Sequence, residues 1–283
     1  MHPGQANRAA RYLFSPFREK VGLLLALSLM AWQHGLAQNA PDSVFRKIIT
    51  LPYSVITAAA DPLGQMYLVT GGQEIVKLSP QGEELFRNSN RRLGAMGRVV
   101  ATDPLNVLVT FPDFNRLILF DRTLSPQSEL FLPGIGIFQA SAVGFSADNQ
   151  LWIYDELNHR LKKIDRAGQI LFEGANLAQL LGVALRPTSI AEAANRVYMS
   201  EPQAGILVFD SFGQYLLTLP FTKVDQVEPA GERLFFLHDR QLCWYGLQDL
   251  RTQCLPLPTE LQLCARVWLS GRFIFATVDG STR

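Results

Sequence analysis

Ser141-Ala142-Val143-Gly144-Phe145 runs into the turn Ala147-Asp148-Asn149, and a second run, Gln150-Leu151-Trp152-Ile153-Tyr154, follows it. The polar stretch Asp155-Glu156-Leu157-Asn158-His159 then leads to Arg160-Leu161-Lys162-Lys163-Ile164, the turn Asp165-Arg166-Ala167-Gly168 and a last run over 169–173. Short apolar runs punctuated by Asp, Asn and Gly are strands and their turns. The same order recurs along the chain in units of roughly 36 to 46 residues, and a repeat of that length made of four strands is a propeller blade.

Laid beneath this unit are others over 55–87, 98–132, 189–219 and 225–255. A further unit opens at 265–277, and its missing outer strand is found at the other end of the chain. Residues 42–52 close on Thr50-Leu51-Pro52, as the fourth unit closes on Thr218-Leu219-Pro220. The expected fold is all-β, a six-bladed propeller whose ring is closed by the N-terminal strand joining the C-terminal blade, which removes exposed sheet edges. First strands such as Ser141-Ala142-Val143-Gly144-Phe145 are small because they crowd a central channel. Second strands such as Met66-Tyr67-Leu68-Val69-Thr70 carry the bulk that packs blade on blade. The one stretch of helix-forming composition, 175–185, is expected to form a short helix between the third and fourth blades.

The first 37 residues stand outside the repeat. Arg8, Arg11, Arg18 and Lys20 precede an apolar run of 12 residues over 21–32, and Gly35-Leu36-Ala37 supplies small residues before Gln38. That pattern is a secretory signal peptide, and the run is short of the ~20 residues that span a bilayer. The domain reading is therefore a signal peptide over 1–37 and one propeller over 38–283, located in the periplasm, at the outer membrane or outside a bacterial cell. No cysteine stands near the cleavage site to take a lipid. Without the leader the chain has 22 basic and 24 acidic residues. A nearly neutral surface without a Lys/Arg stripe argues against nucleic acid as a partner.

The turn before each outer strand is distinctive: Ser79-Pro80-Gln81-Gly82, Asp165-Arg166-Ala167-Gly168 and Asp210-Ser211-Phe212-Gly213. In this the chain resembles NHL-type and related six-bladed propellers over roughly 42–283. Asp121-Arg122-Thr123-Leu124 and Gly246-Leu247-Gln248-Asp249 depart from the pattern.

Catalytic signatures are absent. Only His159 and His238 remain beyond the leader, two blades apart, and no metalloprotease, nucleophile-elbow, phosphate-loop or dinucleotide motif occurs. Six-bladed lactonase-like rings hold a divalent cation with carboxylates from their inner strands. The nearest candidates here are Asp225, Glu228 and Glu192, too few to converge, so neither a metal nor a cofactor is expected. Binding loops are the better-supported feature, because a rigid ring presents them. The connections between second and third strands share one rim and carry Phe111, Asp113, Phe114, Arg116, Asp155, His159, Arg160 and Glu201, with aromatic and cationic anchors among them. The same spacing also serves to tighten each loop. Leu132-Pro133-Gly134-Ile135-Gly136-Ile137-Phe138 reads as a plug between blades two and three. Cys243 and Cys254 flank a hairpin and are candidates for a disulfide, with Cys264 left over.

The function expected from these features is a non-enzymatic exported propeller, a protein-binding scaffold or accessory subunit of an envelope complex with protein partners. One alternative is a small-molecule enzyme of the lactonase or lyase kind with its site at the channel mouth. Another is a glycan-binding ring that stacks sugars on Tyr67, Trp152, Tyr154 and Tyr198.

Overall fold

The computed structural model describes residues 8–14, 45–90, 92–264 and 266–278. Strands β1 (Arg8–Phe14) and β2 (Phe45–Leu51) come first. The first blade follows with β3 (Val55–Ala60), β4 (Met66–Thr70), β5 (Glu74–Leu78) and β6 (Glu84–Ser89). The second has β7 (Val99–Asp103), β8 (Asn106–Phe111), β9 (Arg116–Asp121) and β10 (Pro126–Phe131); the third has β11 (Ala140–Phe145), β12 (Leu151–Asp155), β13 (Arg160–Ile164) and β14 (Ile170–Glu173). The fourth has β15 (Ser189–Ala193), β16 (Arg196–Glu201), β17 (Gly205–Asp210) and β18 (Tyr215–Leu219); the fifth has β19 (Val227–Ala230), β20 (Arg233–His238), β21 (Gln241–Gly246) and β22 (Thr252–Pro256). Strands β23 (Arg266–Ser270) and β24 (Phe273–Val278) end the described chain.

Each blade is an antiparallel meander of four strands. First strands touch in the cyclic order β3, β7, β11, β15, β19, β23, and β23 returns to β3, so they enclose the channel. Bulk lies between sheets: Tyr67, Trp152, Tyr154 and Tyr198 on second strands are all fully buried in the interfaces between blades. Burial of each such side chain is worth roughly 1.5–3 kcal/mol. It also removes the surface on which a sugar could stack. Close approach explains the small first strands, since a Cβ on Gly144 would lie 2.3 Å from the carbonyl oxygen of Ile190 in the next blade.

In the first four blades the turn before the outer strand works through its first side chain. Asp165 Oδ1 accepts from the backbone N–H of Ala167 (2.9 Å) and Gln169 (2.8 Å), and Asp210 Oδ1 does the same for Phe212 and Gln214. Glycine at the fourth position takes a positive φ, +90° at Gly168. Asp121-Arg122-Thr123-Leu124 departs from this pattern in sequence only. Asp121 Oδ1 takes Thr123 N and Ser125 N, and Leu124 adopts φ +60° while burying its side chain in the core between blades one and two. Between blades three and four, α1 (Leu177–Leu181) is capped by Asn176 Oδ1, which accepts from Gln179 N at 2.9 Å.

The seam differs from the expectation of a six-bladed ring closed by the N-terminal strand. Five blades are complete and contiguous; the remaining sheet is composite, with the order β2-β1-β24-β23. Strand β2 pairs with β1, and β1 pairs with β24, both antiparallel. Consequently β2 and β24 run in the same direction and share no ladder. An antiparallel meander requires an opposing strand between them, and Arg8–Phe14 supplies it. Contact around the ring is made instead by the first blade against β23 and β24. Ser270 Oγ accepts from Ala60 N (3.0 Å), Trp268 Nε1 donates to Ala58 O (2.9 Å), and Phe273 and Phe275 join the core of blade one. The apolar run at 21–32 and the small-residue site at 35–38 lie outside the described residues. Among the described residues no helix is long and apolar enough to cross a membrane.

Candidate functional site at the channel mouth

Antiparallel alternation places the start of every first strand on the same rim as the connections between second and third strands. On that rim Thr57, Arg98, Thr188, Asp225, Gln226 and Arg266 surround the channel. Together with Lys223, His238, Asp239, Arg240 and Trp268 they line a cavity of about 420 Å³. The linker before β19 shapes one side: Lys223 takes φ +57° and its N–H donates to Pro202 O at 2.6 Å. Cys264 stands in the wall beside α2 (Thr259–Gln262), and its Sγ donates to Glu260 O at 3.2 Å.

Polar side chains connect opposite walls of the channel. Arg98, at the start of blade two, donates from Nη1 to Gln226 Oε1 in blade five at 3.1 Å. Gln226 Nε2 in turn donates to Glu228 Oε1 at 2.7 Å. Residues 226 and 228 are two apart on one extended segment, so both side chains leave the same face. Burial pushes the Glu228 carboxyl up to about 7, against the opposing pull of the Gln226 amide, the Gly271 N–H and the Arg98 charge. Burial also holds the Arg98 guanidinium below its ordinary value, while Asp225 and Glu228 act the other way. A carboxyl that changes protonation near neutrality therefore lies beside a fixed cation.

At the lip, His238 Nδ1 is 3.0 Å from Thr222 O and Nε2 is 3.3 Å from Asp239 Oδ2. Lys223 Nζ is 3.9 Å from Asp239 Oδ1. Among the described residues no group of three His, Cys, Asp or Glu side chains is placed to hold a metal ion.

The rim residues singled out from sequence mostly tie their own loops. Phe111 is buried between blades one and two, and Asp113 Oδ2 accepts from Ala95 N at 2.9 Å. Arg116 is paired with Glu129 and stacks on Phe131, 4.7 Å from the ring centre. Asp155 is fully buried, taking Lys162 Nζ at 2.9 Å and Asn158 Nδ2 at 2.7 Å. Arg160 donates to Gly174 O at 2.7 Å and pairs with Glu173, and Glu201 accepts from Gln203 N and Ala204 N. His159 takes φ +54° at the loop's end, its Nδ1 buried without a hydrogen bond. Asp113 and Phe114 are the exposed members of the set, Phe114 at 51%. In the apolar loop, Leu132 and Ile137 are buried between blades two and three while Phe138 faces solvent. Cys243 and Cys254 are directly opposite in the β21–β22 ladder and are joined by a disulfide.

Of the three carboxylates considered for the channel, Asp225 lines the cavity and Glu228 is joined to it through Gln226. Glu192 does not: its Oε2 accepts from Trp152 Nε1 and Ser146 Oγ, both at 2.6 Å, and so ties blade four to blade three. Arg98 and Gln226 directly precede the first strands β7 and β19, and neither carries a motif. Their pairing depends on which strands face each other across the ring.

No family model matches this chain, and no curated protein does. Solved structures do. A streptogramin B lyase aligns over 83% of this chain and 83% of its own, with 15% identity and a TM-score of 0.59. A virginiamycin B lyase from Staphylococcus aureus aligns over 84% of this chain and 85% of its own, also with 15% identity and a TM-score of 0.59. A chain of a nidogen/laminin complex aligns over 89% of this chain and 94% of its own, with 11% identity and a TM-score of 0.60. At these identities the likeness is one of fold. It corrects two expectations. Kinship with NHL-type proteins has no family match behind it, because turns of the Asp-x-x-Gly kind arise wherever a strand must fold back this tightly. The expectation of a non-enzymatic scaffold, drawn from missing motifs, loses its ground, since the lyases share this fold and missing motifs do not exclude catalysis on it. The same ring carries enzymes, and catalytic groups contributed singly by different blades leave no local signature.

Proposed function

We propose that this chain is an enzyme acting on a small molecule at the mouth of its channel, of the lactonase or lyase kind. The observation that carries this reading is the Arg98–Gln226–Glu228 network beneath the cavity. A carboxyl titrating at about 7 is matched to proton transfer at physiological pH. Arg98 is placed to hold negative charge that develops on a substrate carbonyl oxygen. In a lyase reaction Glu228 takes a carbon-bound proton, its electron pair forms the new double bond, and the leaving group departs with its own pair. In a lactonase reaction Glu228 takes a proton from water as the oxygen adds to the carbonyl, the ring acyl–oxygen bond of the adduct then breaks, and the departing alkoxide takes that proton from Glu228. One aligned structure is a virginiamycin B lyase with quinupristin, which makes quinupristin a sensible member of a substrate panel.

Export is part of the proposal. The basic, apolar and small-residue order of 1–37 and the Cys243–Cys254 bridge both suit an oxidising compartment outside the cytoplasm.

The test is incubation of the protein with lactones, aryl esters and quinupristin, followed by mass spectrometry. Expected is a ring-opened or cleaved product. Glu228→Gln should lower kcat by about 10²-fold or more. Turnover unchanged in that variant, or no product from any member of the panel, would overturn the reading.

A further inference from the structure

We infer that the channel mouth takes a small amphipathic anion, with a carboxylate seated on Arg98 and an apolar arm in the cleft between the second and third blades. This rests on the proposed substrate site and names the class of molecule that fits it. Two cavities meet at Arg98, which stands in the wall of both. The larger, of about 420 Å³, is polar and cationic: Arg98, Lys223, Arg240 and Arg266 face Asp225 and Asp239. Asp239 is already engaged by His238 and Lys223, so the cations are in excess on a chain that is nearly neutral overall.

The smaller cavity, of about 160 Å³, has an apolar floor of Phe111, Leu117, Leu132 and Val143. A dry apolar cavity of ~150 Å³ admits a benzene ring, so one aromatic ring or a branched alkyl group matches this cleft. Among the described residues only Nη1 of Arg98 is hydrogen-bonded to a side chain, which leaves part of the guanidinium fork to a ligand. A planar fork beside an apolar slot favours a carboxylate carrying a hydrophobic substituent over either half alone.

The experiment is calorimetric titration of the full chain with three probes: 3-phenylpropionate, 3-phenylpropanamide and acetate. Expected is binding of 3-phenylpropionate at least tenfold tighter than either of the others. Arg98→Gln should reduce the preference for acid over amide to less than threefold. Ala140→Phe, which places a ring in the cleft, should abolish the advantage over acetate and leave acetate binding as it was. If Ala140→Phe fails to fold, the three probes on the unaltered chain still decide. Equal binding of acid and amide, or no binding of any probe, overturns the inference. The expected binding pattern without turnover of any panel substrate would remove the enzyme reading and keep the ligand class. Glu228-dependent turnover with no preference for 3-phenylpropionate would do the reverse.

Discussion

Arg98 in the second blade and Gln226 in the fifth are hydrogen-bonded across the central channel, 3.1 Å from Nη1 to Oε1. The pair brings a half-buried cation to within one amide of the half-buried acid Glu228. Opposite walls of a ring are thereby linked through polar groups at the mouth of the channel. Each member depends on the next: without Gln226, a guanidinium and a carboxyl would each lose a partner in a poorly solvated place.

Glu228 makes stability pH-dependent. Its carboxyl is raised from 4.5 to about 7 in the fold, so the folded protein retains a proton that the unfolded chain releases. Stability should therefore fall as pH rises from about 4.5 to about 7, by an amount on the order of 3 kcal/mol, and level off above that. Urea unfolding at pH 5 and pH 8 measures the change. Glu228→Gln should remove most of the difference between the two pH values, and an identical pH dependence in the variant would mean that this carboxyl ionises normally.

Lys162 and Asp155 form a buried ion pair in blade three, 2.9 Å apart, with side chains 5% and 0% exposed. Removing one partner strands the other charge, so Lys162→Met is expected to cost about 3–5 kcal/mol. Combining it with Asp155→Asn should recover part of that loss. Chemical denaturation of the two single variants and the double variant closes the cycle. A fully additive result would show that the two charges do not interact.

The disulfide joins neighbouring outer strands of blade five and encloses a sequence separation of 11. Cys254→Ser should lower stability by about 2–3 kcal/mol through the freed loop entropy of the unfolded chain. Cys264→Ser, at the buried cysteine outside the bridge, should preserve the bridge. Non-reducing peptide mapping identifies the linkage, and a bridge that includes Cys264 would contradict the pairing.

Strand β1 comes from the segment read as a leader, and β24 pairs with it along 273–278. A chain beginning at Gln38 loses that partner, which should speed hydrogen exchange of β24 amides relative to those of β12 or β16. Exchange unchanged from the full-length chain would mean that another strand has taken the position between β2 and β24.

Much of the fold was legible because propeller blades repeat their chemistry. Polar turns, aromatic second strands and small first strands each report a local steric or hydrogen-bonding need. Departures from the repeat were harder to read. Leu124 sits where glycine is usual and still makes the turn, because its buried side chain offsets a left-handed backbone that costs roughly 1–2 kcal/mol. Asp155 and Glu201 looked like rim anchors, yet their carboxylates hold their own loops and neighbouring strands. Exposure, not residue type, separates the two roles.

The sequence by itself determined the all-β repeat, the blade boundaries, the turn chemistry and the opposition of Cys243 to Cys254, since all of these depend on neighbours along the chain. Only the tertiary structure decided that Arg98 meets Gln226, that Glu228 joins this pair while Glu192 ties two blades together, and that Arg8–Phe14 stands between β2 and β24. Those relationships join residues from different blades or opposite ends of the chain. Their partners are set by how sheets pack around the channel, and no local pattern encodes which first strand faces which.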